Sequence, residues 1–212
     1  MRLTCRMLSR ERTMALCFAG GALCFLLGPL RVYTDIVGPE IDAVTFFVGA
    51  LLFTAGGALQ LRLAWPTRRE AMWWAAVVQS VGTLLFNVTT VMALSTTLSN
   101  PEYDRLVWRP DAIGSACFLA SGWIAWRATP AEHQKRWEAA VNLLGCVFFA
   151  ISAVAGYVVP EHGSELDLAA ANWATAAGAA CFLACAAATL RTGRTVKTPW
   201  VRRLDRTVER LV

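Results

Sequence analysis

The chain has 212 residues, of which 56% are hydrophobic and 17% are charged, whereas a typical soluble domain is about 45–50% apolar and about 25% charged. This composition excludes an ordinary soluble domain. The net charge of +5 is attributed to basic residues on the cytoplasmic side of a membrane protein, so no nucleic-acid partner is expected.

The apolar residues fall in six segments of about 17 to 25 residues, the length that crosses a hydrocarbon core of roughly 30 Å. Each segment is predicted to be a helix, because a helix satisfies its own backbone polar groups in lipid. The fold class is therefore all-α, a polytopic membrane protein with six transmembrane helices. The predicted spans are residues 14–32, 42–63, 72–96, 111–128, 137–159 and 168–190. The predicted parts of the chain are a basic N-terminus at 1–13, a transmembrane domain at 14–190 and a basic tail at 191–212.

The basic residues divide unevenly between the two sides that six spans define. Seventeen of the 20 Lys and Arg residues lie at the termini and in the second and fourth connections, and three lie on the opposite side. The positive-inside rule places the richer side, with both termini, in the cytoplasm. Arg outnumbers Lys by 18 to 2, a bias typical of a GC-rich genome, so a bacterial inner membrane is expected. No small-x-small cleavage site follows Leu30, and the first span is therefore predicted to be retained.

One pattern occurs in every span: a glycine followed four residues later by a phenylalanine, which places both on one helix face. The pairs are Gly21/Phe25, Gly49/Phe53, Gly82/Phe86, Gly114/Phe118, Gly145/Phe149 and Gly178/Phe182. The pattern predicts one hairpin unit in three copies, arranged as parallel repeats about an axis along the membrane normal. Since small residues let helices approach closely in lipid, the glycines are predicted to pack helices together. A ring of glycines lining a narrow passage is the alternative.

The third span is the most polar of the six. Gln79, Thr83 and Asn87 are spaced by four residues and form one stripe, and Asn142 of the fifth span matches Gln79 in its position three residues before the repeat glycine. Such a stripe either hydrogen-bonds to neighbouring helices, at about 0.6 to about 2 kcal/mol per contact, or lines a wet cavity. Both interpretations place these side chains inside the bundle.

Three carboxylates lie closest to the membrane, each at the start of a span: Asp42, Asp111 and Glu138. Asp111 directly follows Pro110, and aspartate is a strong helix N-cap that also suits the helix dipole. The sequence therefore predicts that Asp111 caps the fourth span. A cation or proton site facing outside is the alternative.

No catalytic, cofactor-binding or metal site is predicted. The two histidines, His133 and His162, lie in connections, which argues against a haem held between helices. Six of the seven cysteines lie within predicted spans, where a role as small packing residues is expected. The sequence contains no nucleophile elbow, phosphate loop or zinc signature, so the chain is not expected to be an enzyme and needs no cofactor.

The C-terminal tail carries a helix-start signal at Thr198 and Pro199. The apolar residues that follow share one face among several arginines. These apolar residues are Val201, Leu204, Val208 and Leu211. The pattern predicts a short amphipathic helix on the cytoplasmic leaflet, with Trp200 at the interface and the arginines near anionic lipid.

The glycine–phenylalanine hairpins, together with the stretches 79–89 and 103–115, resemble bacterial multi-pass membrane proteins that carry YrhK-like domains. The resemblance covers the second to the sixth span. It implies a membrane location and paired helices, and it implies no activity and no catalytic residues.

The sequence thus predicts an integral membrane protein with a structural or interaction role, packing through its glycine–phenylalanine faces. Its expected partners are the lipid bilayer, anionic lipid at the tail, and a second copy or another membrane protein. The alternative is a small-solute transporter or channel that uses the stripe of the third span, with Asp111 or Asp42 at the outer mouth.

Overall fold

The computed structural model describes residues 2–95, 98–133, 135–159 and 164–192. Most of each apolar segment lies in one long helix, so the predicted all-α fold is confirmed, although the predicted ends at residues 32, 96 and 159 lie beyond the long helices. The long helices are α1 (Arg2–Leu27), α3 (Pro39–Ala64), α4 (Ala71–Met92), α6 (Arg109–Ala128), α7 (Arg136–Ala155) and α8 (Leu168–Thr192). Two short helices, α2 (Arg31–Val37) and α5 (Asn100–Tyr103), and a 3₁₀ turn, Trp65–Thr67, lie in connections. Strands β1 (Val158–Val159) and β2 (Ser164–Glu165) form one antiparallel pair. The predicted amphipathic tail helix lies outside the described residues.

Four of the long helices, α3, α4, α7 and α8, are long and apolar enough to cross a membrane. The part of α1 from Ser9, taken together with α2, is also long and apolar enough to cross a membrane, although a bend of 90° separates the two helices. Helix α6, which carries Arg109, Asp111 and Arg127, does not reach the required hydropathy. A membrane-embedded protein with four to five apolar helices is therefore supported, and six crossings stay a prediction.

The breaks between helices have local causes. Gly28 and Pro29 end α1 earlier than predicted, and Gly38, at a φ of +84°, turns the chain between α2 and α3, a conformation that favours glycine. Before α5, the Glu102 carboxylate accepts hydrogen bonds from the Ser99 backbone N–H at 2.9 Å and from the Ser99 hydroxyl at 2.7 Å. These two bonds hold the pKa of Glu102 below its usual value.

The six long helices form a closed ring. Each packs against the helices before and after it in this set, and α8 packs against α1. The outward faces carry leucine, valine, isoleucine and tryptophan, whereas the inner faces carry alanine, glycine, serine, threonine and phenylalanine. Small residues inside and large aliphatic residues outside suit a bundle that is surrounded by lipid.

Within each antiparallel helix pair, the repeat glycine of one helix packs against the repeat phenylalanine of the other, in both directions. A Cβ on Gly178 of α8 would lie 2.6 Å from the Phe149 ring of α7, and a Cβ on Gly145 of α7 would lie 2.9 Å from the Phe182 ring of α8. The same reciprocal contact joins α1 to α3 and α4 to α6. Each glycine thus makes room for the phenylalanine of the opposite helix.

The six repeat phenylalanines meet on the axis of the ring as two triangles. The rings of Phe25, Phe86 and Phe149 lie 5.9–6.1 Å apart by centroid, and those of Phe53, Phe118 and Phe182 lie 5.9–6.4 Å apart. The two triangles touch, with 5.4 Å between Phe149 and Phe182. All six rings are buried, and we call them the phenylalanine layer.

Candidate functional site: two cavities separated by a phenylalanine layer

Two cavities lie inside the ring, one on each side of the phenylalanine layer. We call the end at which α1, α4 and α7 begin the basic end, and the opposite end the acidic end. The basic-end cavity has a volume of about 460 Å³ and is bounded by Phe53 and Phe182. The acidic-end cavity has a volume of about 310 Å³ and is bounded by Phe25, Phe86 and Phe149. Each triangle of the layer thus faces one cavity.

The basic-end cavity has a largely apolar wall of alanine, methionine and phenylalanine side chains, in which a few polar groups are placed. Gln60, Gln79 and Asn142 contribute carboxamides, and Lys135 and Glu138 at its rim contribute one charge of each sign. Carboxamides offer both donors and acceptors. This cavity can therefore hydrogen-bond a polar solute and selects little for its charge.

The acidic-end cavity is lined by three carboxylates and by hydroxyl groups. The carboxylates belong to Asp42 at the start of α3, Asp111 at the start of α6, and Glu165 in β2. Asp42 accepts a hydrogen bond from the Thr34 hydroxyl at 3.2 Å through one oxygen, and its other oxygen is buried with no partner. The protein thus supplies few hydrogen-bond donors to these carboxylates, which line the cavity.

Tyr103 of α5, in the connection between α4 and α6, lines the same cavity as the three carboxylates. Burial raises the pKa of the Tyr103 phenol, and the negative charges of Glu165 and Asp111 raise it further. The phenol therefore stays protonated at neutral pH and remains a hydrogen-bond donor to the cavity.

A π-helical segment, Asp104–Trp108, positions Asp111. Because Pro110 has no N–H and its ring crowds the carbonyl four residues earlier, the helix widens before it, as π segments do at functional sites. The Trp108 indole N–H donates to the Ala153 carbonyl of α7 at 2.8 Å. The Thr89 hydroxyl of α4 donates to the Val107 carbonyl at 3.1 Å. These bonds fix the segment to two other helices.

The predicted capping role of Asp111 is wrong. The residue that precedes α6 is Trp108, which has helical φ and ψ and makes no side-chain cap bond. The helical run instead starts at Ser99, and Asp111 lies in the first turn of α6 with its side chain toward the acidic-end cavity. The nearby Arg109 pairs with Asp104 at 2.9 Å. Asp111 is thus available for the second predicted role, a site for a cation or proton.

The polar stripe of α4 is divided between two environments. Gln79 lines the basic-end cavity. The Asn87 amide donates to the Thr54 hydroxyl of α3 at 2.8 Å, and that hydroxyl donates to the Thr83 carbonyl at 3.3 Å. Thr83 is buried and donates to the Ser80 carbonyl within its own helix. Two members of the stripe therefore join α3 to α4, and one faces a cavity.

The structure also places Asn142 and the six repeat glycines. Asn142 lines the basic-end cavity beside Cys146, whose sulfur lies 4.0 Å from the amide nitrogen. The six repeat glycines are all buried at helix contacts and line neither cavity. Within the described ranges, no three His, Cys, Asp or Glu side chains converge to hold a metal ion.

Some features were missed from the sequence. The Ser99–Glu102 capping box has the standard Ser-x-x-Glu spacing with Pro101 inside it, so it was detectable. The phenylalanine layer was not, because spacing along one helix does not tell which rings of other helices it will meet.

The fold and the hydropathy define the class of this chain as a helical membrane-embedded protein. No protein-family model, curated protein or solved structure matches the chain. The resemblance to proteins with YrhK-like domains therefore stays a prediction.

Proposed function

We propose that the protein is a six-span transporter for a small solute, in which the two cavities are binding chambers and the phenylalanine layer is the barrier between them. The observation that carries this proposal is the position of two cavities, each with polar side chains in a largely apolar wall, on opposite sides of the six rings. In secondary transporters the substrate site lies between structural repeats, and both cavities here lie between the three helix pairs.

The structural or interaction role receives less support. That role requires small-residue faces on the outside of the bundle, where another chain can reach them. The repeat glycines are instead occupied by phenylalanines of the same chain, as the 2.7 Å approach of Phe118 to a Cβ on Gly82 illustrates. The geometry therefore favours transport over association through these faces.

We further propose that all six long helices cross a bacterial inner membrane and that the three helix pairs are copies of one hairpin. The reciprocal glycine–phenylalanine contacts of each pair support the repeat. Helix α6 has low hydropathy because it carries charges at its two ends and the buried Ser115 and Ser121 between them. Exposed tryptophans at the basic end, Trp65, Trp74, Trp123 and Trp137, suit an interfacial aromatic belt.

Reporter fusions test the topology. Fusions to either terminus are expected to report cytoplasm, and a fusion next to Glu165 is expected to report the outside, because the basic residues favour this orientation. A cytoplasmic signal at Glu165 would overturn the six-span arrangement.

Cysteine labelling from each side of the membrane tests the chambers. In a chain whose own cysteines are replaced by alanine, we place one cysteine at Ala43 in the acidic-end cavity, at Ala125 in the basic-end cavity, or at Leu84 on the outward face. An impermeant thiol reagent is expected to modify Ala43→Cys from outside and Ala125→Cys from the cytoplasmic side. The control Leu84→Cys should react from neither side, because it faces lipid. A transporter is ruled out if both cavity positions are unreactive from both sides.

A further inference from the structure

We propose that the acidic-end cavity binds a small, weakly hydrated organic ammonium cation, and that this cation is the substrate; the second part rests on the proposed transport function. The inference starts from the charge of the cavity. Its wall contains Asp42, Asp111 and Glu165, and among the described residues that line it there is no Lys, Arg or His.

Among the described residues, no basic side chain around the cavity neutralises these carboxylates. The three connections at the acidic end, residues 28–42, 93–111 and 156–168, contain nine Asp and Glu residues and three Arg residues. Of the three arginines, Arg109 pairs with Asp104, and Arg31 and Arg105 are exposed. The three carboxylates are partly buried, and a charge withdrawn from water is costly unless it is paired. A cation in the cavity would supply the missing partner.

Unpartnered oxygen atoms point to the same conclusion. One Asp42 oxygen is buried without any hydrogen bond, and no ion pair to Asp111 is found in the described part of the chain. Both residues line the same cavity of about 310 Å³. A cavity of this volume is large enough for a small organic ion.

The rest of the wall distinguishes an organic cation from a metal ion. No three ligating side chains converge within the described residues, so a metal site with three or more His, Cys, Asp or Glu ligands is not found there. The cavity is instead bounded by the rings of Phe25, Phe46, Phe86, Phe149, Tyr103 and Trp108. Aromatic rings attract organic ammonium groups through cation–π interactions, and cages of such rings recognise quaternary ammonium ligands.

Choline is a suitable probe, since 3,3-dimethylbutan-1-ol has nearly the same shape without the charge. With the full-length protein purified in detergent, choline is expected to raise the melting temperature in a saturable manner, as ligands of the folded state do. The uncharged analogue should not. Equal stabilisation by the two compounds would overturn the inference.

Substitutions test the assignment to this cavity. Asp111→Asn is expected to weaken choline binding by about 30-fold or more, the scale for removing one partner of a buried charge pair. Asp42→Asn should weaken it as well and serves as the second variant if Asp111→Asn does not fold. The control Asp35→Asn changes an exposed carboxylate at the same end and should bind like the parent. Parent-like binding by both Asp111→Asn and Asp42→Asn would overturn the inference.

Choline flux into proteoliposomes separates this inference from the proposed function. Binding without flux would uphold the cation site and contradict transport. Absence of choline binding in a protein whose two cavities still react with thiol reagent would contradict the cation site and leave transport intact.

Discussion

The two cavities are built by the same six helices, yet their walls differ in chemistry. The basic-end cavity presents carboxamides, with charges of both signs at its rim. The acidic-end cavity presents three carboxylates among aromatic rings. Between them the helices repeat the same glycine and phenylalanine contacts three times. Under the proposed transport function, the middle of each helix pair would close the path between the cavities, whereas the ends, which have diverged, would determine what can bind.

The largest effect is expected from opening the layer that keeps the two cavities apart. Phe149 contacts four other rings of the layer, at centroid distances of 5.4–6.3 Å. Phe149→Ala is expected to cost about 3–5 kcal/mol of stability and to join the cavities into one path. Proteoliposomes with this variant should leak choline passively, and the melting temperature should fall.

The neighbouring Phe148 provides the matched control, because it is only partly buried and is not part of the layer. Proteoliposomes with Phe148→Ala should not leak choline. A Phe149→Ala protein that leaks as little would show that the layer is not the barrier between the two cavities.

A smaller effect is expected from crowding one helix contact in the middle of the bundle. A Cβ on Gly178 would lie 2.6 Å from the Phe149 ring and 3.0 Å from the Gly145 carbonyl. Gly178→Ala is therefore expected to destabilise the protein by about 1–3 kcal/mol, as measured by denaturation in detergent. At the buried Gly57 the nearest atom to such a Cβ is 3.4 Å away. Gly57→Ala should thus be neutral or gain up to about 1 kcal/mol from helix propensity.

The smallest effect is expected at Asn87, which belongs to neither cavity wall. Because its amide bonds to Thr54, Asn87→Leu should cost only about 0.6 to about 2 kcal/mol and leave solute flux normal. Thr54→Val should give a similar loss, and the double variant less than the sum. Abolished flux with a normal folded yield would place Asn87 on the solute pathway and contradict this assignment.

Much of the helical framework could be predicted from the sequence, because apolar length and flanking charges determine it. The predicted span 42–63 differs from α3 (Pro39–Ala64) by a few residues. The glycine–phenylalanine spacing also predicts that the glycines pack helices together, and a Cβ at each repeat glycine would meet a neighbouring helix. It left open which rings each phenylalanine meets, because the two triangles result from the arrangement of all six helices.

The candidate site was predicted only in part. Gln79, Asn142 and Asp111 were expected inside, and each lines a cavity. The sequence Arg-Pro-Asp at 109–111 predicts a helix start, whereas the helical run begins ten residues earlier at Ser99 and passes Pro110 through a π segment. A local start signal does not reveal that tertiary hydrogen bonds, such as that of Trp108 to Ala153, hold a widened turn in place.

The closed ring has a consequence for synthesis. Helix α1 is made first, but one of its two neighbours, α8, is made last. Since chains are elongated from the N-terminus, the α1 face that will meet α8 has no partner until the last helix enters the bundle. A nascent chain that stops after α6 would present two open sides, on α1 and on α6. Closure of the ring therefore needs one joining step, between α1 and α8, that can occur only after all six helices have been made.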